Sequence, residues 1–443
     1  MIATTTNKQR WLYSIANIGN TIPYQAVGAV VLFYYTDVKR LPATWAATVM
    51  TIYAIYNAFN NPVMGYLSDR TRTRWGRRIP YILFGTVPYA LAFALLFFAP
   101  FDGRENAVSL LIYFAVGLFI WEGLGTAVST AYYSLLPEMF REYNERTDVA
   151  MRMNIVQTVG LLIGAALPAY LGQALGWPLM GVIFAVIAAA AMYTGLPGMF
   201  ERREVGEQAY FDLWTALKTT LVNRSFITVV IAQTMRFFAT NTLAAGMVFY
   251  MKYSLGADPG LTSLVLASAF VAAGLAMWPW RQFIAKRFDP RTTLMLAYAM
   301  IGLAVLPLGF VTTLGGAIFG AVLVGIALAG LIFMGDVILS DVVDEDQVKT
   351  GLHRAGMYFG MSGLIITLSS ALVSIVFGLL LPAYGYNTAL DVQPATVGVG
   401  FRIFMTVPPM IGALLALAAL YFYPLHGKRL KEVKEALAKS SAG

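Results

Sequence analysis

The sequence predicts an all-α membrane protein of twelve transmembrane helices arranged as two six-helix halves. Three observations carry that expectation. Of 443 residues 58% are hydrophobic and 12% charged, about half the charged share of a soluble domain, so most of the surface cannot face water. Apolar runs long enough to cross about 30 Å of hydrocarbon recur along the whole chain. The basic residues crowd into alternate loops between those runs.

In order, the runs fall at 11–35, 45–67, 79–100, 107–136, 153–176, 178–200, 225–254, 261–284, 292–313, 315–340, 356–384 and 399–423. The first is too long for the core of a signal peptide and lacks a small-residue cleavage site, so it is expected to stay as an anchor. With both termini inside, most of the 31 Lys and Arg fall in cytoplasmic segments; the exterior holds Lys39, Arg40, Arg104 and Lys252, and Arg236 and Arg402 lie within spans. That asymmetry sets the expected orientation: a multi-pass protein of the plasma (bacterial inner) membrane with both termini cytoplasmic. A net charge of +8 therefore signals cytoplasmic loops rather than nucleic acid. With no cysteine, and two histidines far apart at His353 and His426, neither a disulfide nor a metal site nor a cofactor is expected.

The long polar break, "ERREVGEQAYFDLWTALKTTLVNR" at 201–224, separates the halves. Phe211, Trp214, Leu217 and Leu221 recur there at helical spacing, as in a helix lying along the cytoplasmic face. The expected organisation is a first bundle at 1–200, an amphipathic linker at 201–224, a second bundle at 225–427 and a basic cytoplasmic tail at 428–443. The halves echo each other: "NPVMGYLSDRTRT" from Asn61 and "WPWRQFIAKRFDPRT" from Trp278 both run from proline through an apolar helix end into a basic turn. Two such halves are the organisation of a rocking transporter.

Several side chains stand out chemically. In "GYLSDRTRTRWGRRIP", Asp69 is placed to accept charge-assisted hydrogen bonds from Arg70, Arg77 or Arg78 and from the start of the next helix, forming a cytoplasmic gate. The acidic cluster Asp341, Asp344, Glu345 and Asp346 with Lys349 and Arg354 is its expected counterpart. Charge inside the membrane is costly and functional by default. Arg236 falls near the bilayer centre, and Glu122 lies two helical turns before Ser129 on the same face. Either Arg236 and Glu122 neutralise each other, or Arg236 meets an anionic substrate while Glu122 carries a proton. Asp336 is a second proton-carrier candidate. Tyr24, Tyr56, Tyr132 and Tyr133 sit near polar helix faces, able to stack on a sugar ring or line a lipid tail. Trp11, Trp45, Trp177 and Tyr384 read as interfacial belt residues.

The loop "GYLSDRTRTRWGRRIP" resembles that between helices two and three of the major facilitator superfamily. "FYYTD" (33–37), "AYYSLLPEMFREYNERT" (131–147), "LSDVVDEDQVKTGLHRAGMYFG" (339–360) and "YFYPL" (421–425) resemble, in order, blocks of its glycoside–pentoside–hexuronide:cation symporters, the group of the melibiose permease, to which lysolipid transporters of animals are related. The resemblance implies the major facilitator fold. It also implies a cation site of two aspartates one turn apart on the second helix, where this chain reads "NAFNNP". Asn57 and Asn61 stand at those positions, Asn17 at a further family aspartate, Ser129 at the sugar-binding aspartate and Thr367 where a lysine is frequent. Arg152 roughly matches a family arginine of the substrate site. Amides supply oxygens but no charge to offset Na⁺, and they cannot carry a proton. Na⁺ coupling through this site is therefore not expected, whereas Asn17, Asn20, Asn57 and Asn61 remain suited to sugar hydroxyls or a lipid head group.

The expected function is alternating-access transport of a glycoside- or uronide-type solute, coupled to protons through Glu122 or Asp336 or else uncoupled. The alternatives are a lysolipid or amphiphile transporter of the same fold, and a non-transporting receptor or scaffold. An enzyme is not expected: no phosphate-binding loop and no nucleophile–base pair can be named.

Overall fold

The computed structural model describes residues 5–140, 143–201, 213–351 and 354–441. The chain opens with a short helix, α1 (Asn7–Ile15), started by a reciprocal cap in which Thr6 and Gln9 satisfy each other's backbone. A break at Ala16 separates it from α2 (Asn17–Phe33), which widens into a π turn at Tyr34–Val38. The first span, one run in the sequence, is thus two helices.

The next five spans are α3 (Ala43–Arg70), α4 (Ile79–Leu96), α5 (Gly103–Met139), α6 (Tyr143–Ala174) and α7 (Trp177–Gly195). A short helix, α8 (Leu213–Val222), follows; Phe211 lies outside the described residues. The remaining spans are α9 (Arg224–Phe249), α10 (Thr262–Pro279), α11 (Pro290–Ala304), α12 (Leu314–Thr350), a helix broken at Leu368 into α13 (Ala355–Thr367) and α14 (Ser369–Ala383), and α15 (Ala395–Tyr421). The tail forms α16 (Gly427–Ser441).

Twelve spans result, and they are not equally apolar. Nine helical stretches among the described residues are long and apolar enough to cross a membrane. The other three spans are α2, α3 and α9, which carry Asn17 and Asn20, Asn57, Asn60 and Asn61, and Gln233 and Arg236. Polarity is concentrated on the helices that pack at the centre: α2 lies against α9, α3 against α14, and α6 against α10, joining the first six spans to the last six.

The two ends differ. At the end where α2 meets α9, away from the arginine-rich loop, Asp37 accepts hydrogen bonds from Lys252 and Tyr253, the Tyr386 hydroxyl reaches Thr36 at 3.3 Å, and Arg40 and Arg104 pair with Asp391. Phe33 and Phe249 meet edge to face at 5.1 Å within an aromatic plug that includes Phe377 and Phe401. At the basic end the ion pairs given by the described residues stay within the first six spans or within the last six and the tail. The chain is therefore tied shut at the far end.

One belt assignment is corrected. Trp177 is buried and packs on Phe33, Tyr34 and Phe97, because it opens α7 against the end of α2 rather than at a lipid interface. Trp11 and Trp45 are exposed.

Candidate functional site

The inner faces of α2, α3 and α5 converge on Glu122, which is fully buried. Its carboxylate accepts from the Tyr24 hydroxyl at 2.6 Å, from Tyr53 at 2.8 Å and from Thr126 at 3.0 Å. Thr126 follows one turn later on α5, and the tyrosines arrive from α2 and α3. Trp121 backs the arrangement, its ring 5.0 Å from that of Tyr24. All three donors are neutral hydroxyls, so burial leaves the carboxylate's charge without a cation among its described partners, and a bound proton would remove that cost.

No ion pair between Glu122 and Arg236 is among the described contacts. Arg236 donates to the Leu331 carbonyl at 3.1 Å and lies over the Phe237 ring; beside it, Gln233 donates to the Gly335 carbonyl at 2.8 Å. Both lean on α12, where Gly335 leaves the room: a Cβ there would come within 3.0 Å of the guanidinium. Asp336 occupies the next position of α12, and its side chain lies outside the described residues.

The amides follow from Tyr53 along α3. Asn57 is one turn on, and the Asn61 amide reaches back to the Asn57 carbonyl at 3.4 Å. Asn60 is buried, and its amide nitrogen has no hydrogen-bond partner among the described residues. On α2, Asn17 accepts from the Tyr133 hydroxyl at 2.8 Å and donates weakly to the Met153 carbonyl. Asn20, beside Tyr133, is 3% exposed, and among the described residues neither its amide oxygen nor its nitrogen has a partner within hydrogen-bond distance. Two unpaired amide atoms in a buried position cost stability unless something else bonds them. Tyr133 is half exposed. These residues form one polar wall.

Other expected site residues have these described contacts. Ser129 bonds back to the Thr126 carbonyl at 3.3 Å, and Thr367, at the α13–α14 break, to Gly363 at 2.8 Å. Arg152 is engaged by Asp148, by Asn7 at 2.6 Å and by the Trp11 ring, at the basic end where α6 meets α1. Tyr132 is not on the wall: it stacks on Tyr13, and each hydroxyl bonds the other's carbonyl.

At the basic end the acceptors differ from those expected. The side chain of Asp69 lies outside the described residues. Arg77 and Arg78 pair with Glu138, both at 2.7 Å. The start of α4 is capped by Glu201, which accepts from the backbone N–H of Arg77, Arg78 and Ile79 at 2.8, 2.6 and 2.8 Å. Gly76 turns with φ +108°, and a Cβ there would fall 2.5 Å from that carboxylate. In the acidic cluster Arg354 pairs with Asp346 at 2.7 Å and Lys349 with Glu345 at 2.9 Å, while Asp341 and Asp344 are taken by Lys434 of α16 at 2.6 and 2.7 Å. Sequence reasoning missed Tyr53, Glu138, Glu201 and Lys434, whose partners lie far along the chain.

The comparisons agree with this architecture. The chain is 27% identical to the isoprimeverose transporter of Lactiplantibacillus pentosus, over 98% of this chain and 92% of that protein. It is 24% identical to the glucuronide carrier protein homolog of Escherichia coli, over 95% and 93%, and 22% identical to the sodium-dependent lysophosphatidylcholine symporter 1 of Gallus gallus, over 94% and 87%. Among solved structures, the nucleoside transporter NupG superposes with a TM-score of 0.67 at 12% identity, covering 94% of this chain and 99% of that one. The model of the MFS/sugar transport protein family matches residues 12–427, nearly the whole of the twelve-span body, and with the glycoside-symporter motifs inside that range it places the chain in this family of major facilitator transporters, not among enzymes.

Proposed function

We propose that the protein is a secondary transporter of a glycoside- or uronide-type solute, that it works by alternating access, and that Glu122 carries the coupling proton. The carrying observation is the buried Glu122 carboxylate held by the Tyr24, Tyr53 and Thr126 hydroxyls, with the amides beside it on α2 and α3. In the neutral form the acid donates to one hydroxyl oxygen; in the charged form it accepts from all three. The unpaired Asn20 amide offers a sugar hydroxyl both a donor and an acceptor. Asn17, Asn57, Asn61 and Tyr133 extend that surface, and Arg236 faces the acidic group of a uronide. The neutral amides on α3 argue against Na⁺ at the family position. Names of relatives support a sugar-like cargo.

In this reading the basic end is cytoplasmic, the bundles 1–200 and 225–427 rock about the site, and the Asp69–Arg78 loop and the acidic cluster at 341–354 make and break the inner gate. The lysophosphatidylcholine relative supports the second reading, an amphiphile as cargo. The test is uptake into proteoliposomes. Under an imposed pH gradient, labelled glucuronide or disaccharide should accumulate, and Glu122→Gln should abolish accumulation while sparing counterflow exchange. Unchanged accumulation in the variant removes Glu122 from coupling. Collapse of uptake when K⁺ replaces Na⁺ rejects the proton reading, and uptake of lysophosphatidylcholine in preference to sugars favours the second cargo.

A further inference from the structure

A cavity lies behind the polar wall. α3 and α4 both pack along α5, and the groove between them has a volume of about 850 Å³. Its walls include Leu67 of α3, Phe84 of α4 and Ala127 of α5, and Tyr56 and Gly123 sit at its inner end. The glycines shape it. A Cβ on Gly85 would approach Val128 to 2.9 Å and one on Gly123 the Tyr56 hydroxyl to 3.0 Å, so α4 and α3 sink toward α5 and leave a trough between their outer faces.

The groove opens sideways. Leu67 and Phe84 on its rim are exposed, and in a protein of this family that surface faces lipid. Its lining is almost wholly apolar, so water would find too few partners inside. Its mouth at the basic end is different. There the Thr71 and Tyr81 hydroxyls bond each other at 2.7 Å. The Arg74 guanidinium lies 4.0 Å over the Trp75 ring, which meets Phe84 edge to face at 5.4 Å. Arg72 and Arg74 are exposed beside this mouth.

An apolar trough in the hydrocarbon region, closed at the interface by hydroxyls, an aromatic ring and two arginines, has the polarity profile of one molecule. We infer that this groove is a binding site for a single anionic phospholipid, with one acyl chain along α5 between α3 and α4 and the phosphate at Thr71, Tyr81, Arg72 and Arg74. The site is separate from the transport wall. Tyr56 and Gly123 line the groove, whereas their neighbours Asn57 and Glu122 belong to the wall, so a bound lipid would brace α3 from behind. The inference rests on the membrane placement of the fold and not on the cargo.

The test uses the full-length protein purified in detergent, with dioleoylphosphatidylglycerol and dioleoylphosphatidylcholine as probes. Native mass spectrometry should show one phosphatidylglycerol retained in preference to phosphatidylcholine, and that lipid should raise the thermal midpoint. Ala127→Phe, which fills the trough, should weaken retention about tenfold. Arg72→Glu with Arg74→Glu, in an exposed turn, should erase the preference between head groups. Equal retention of the two lipids by the parent protein would overturn the inference, as would an unchanged preference in the double charge reversal. Undiminished retention by a folded Ala127→Phe protein would do the same.

Discussion

At the residue scale the central fact is a carboxylate buried among hydroxyls. Glu122 lies 98 residues from Tyr24 and 69 from Tyr53. The sequence made Glu122 legible because a charge in an apolar run is costly, but nothing local announces which hydroxyls meet it. Arg236 was legible for the same reason, but that it reaches the Leu331 carbonyl of α12 was not. The amides of α3 give a direct prediction. If they withhold the charge that Na⁺ needs, Asn57→Asp with Asn61→Asp should introduce Na⁺-stimulated uptake in proteoliposomes where the parent shows none. No response of the double variant to Na⁺ would show that charge at these positions is not enough to bring in Na⁺ coupling.

At the scale of elements, helix existence and type followed from hydropathy: every expected run is helical, although α6 begins at Tyr143 rather than 153, α12 runs on to Thr350 rather than 340, and two runs are each split into two helices. The breaks did not follow. Ala16 and Leu368 interrupt their spans without a proline or glycine to mark them. The basic-end contacts were half visible: the loop's arginines and the acidic cluster could be named, but their partners sit on other elements. Glu201 and Lys434 bear different weights. Glu201 satisfies three backbone donors at the start of α4, and Glu201→Gln should lower stability by roughly 1–2 kcal/mol. Burial pulls the Lys434 ammonium down, but its hydrogen bonds to Asp341 and Asp344 outweigh that and raise its pKa, so it stays charged at neutral pH. It is half exposed, and Lys434→Ala should cost at most about 1 kcal/mol. Thermal unfolding in detergent checks the order; an equal or larger loss for Lys434→Ala would contradict it.

For the whole molecule, the question is what holds the far end shut. Asp37 stands out because its side chain is buried and both of its partners, Lys252 and Tyr253, come from the last six spans. Removing its charge leaves Lys252 facing a neutral amide. Asp37→Asn should weaken closure by about 3 kcal/mol, enough to move a two-state balance by about a hundredfold. The chain has no cysteine, so single labels can be placed cleanly. Spin labels at Glu105 and Ala389, on exposed far-end positions, should report longer distances in Asp37→Asn, and an unchanged distribution would show that the aromatic plug and the Arg40 and Arg104 pairs with Asp391 hold the end without it. The overall plan of the molecule was readable from alternating basic loops, whereas its closed end was not, since conformation depends on pairings that composition does not encode.

The uneven greasiness of the spans has a bearing on biogenesis. Because α2, α3 and α9 hold the amides, Gln233 and Arg236, each partitions poorly from the translocon into bare lipid by itself. During synthesis they are expected to wait for the more oily spans of their own half, so the polar residues on these three helices bear on the order in which the nascent chain is assembled.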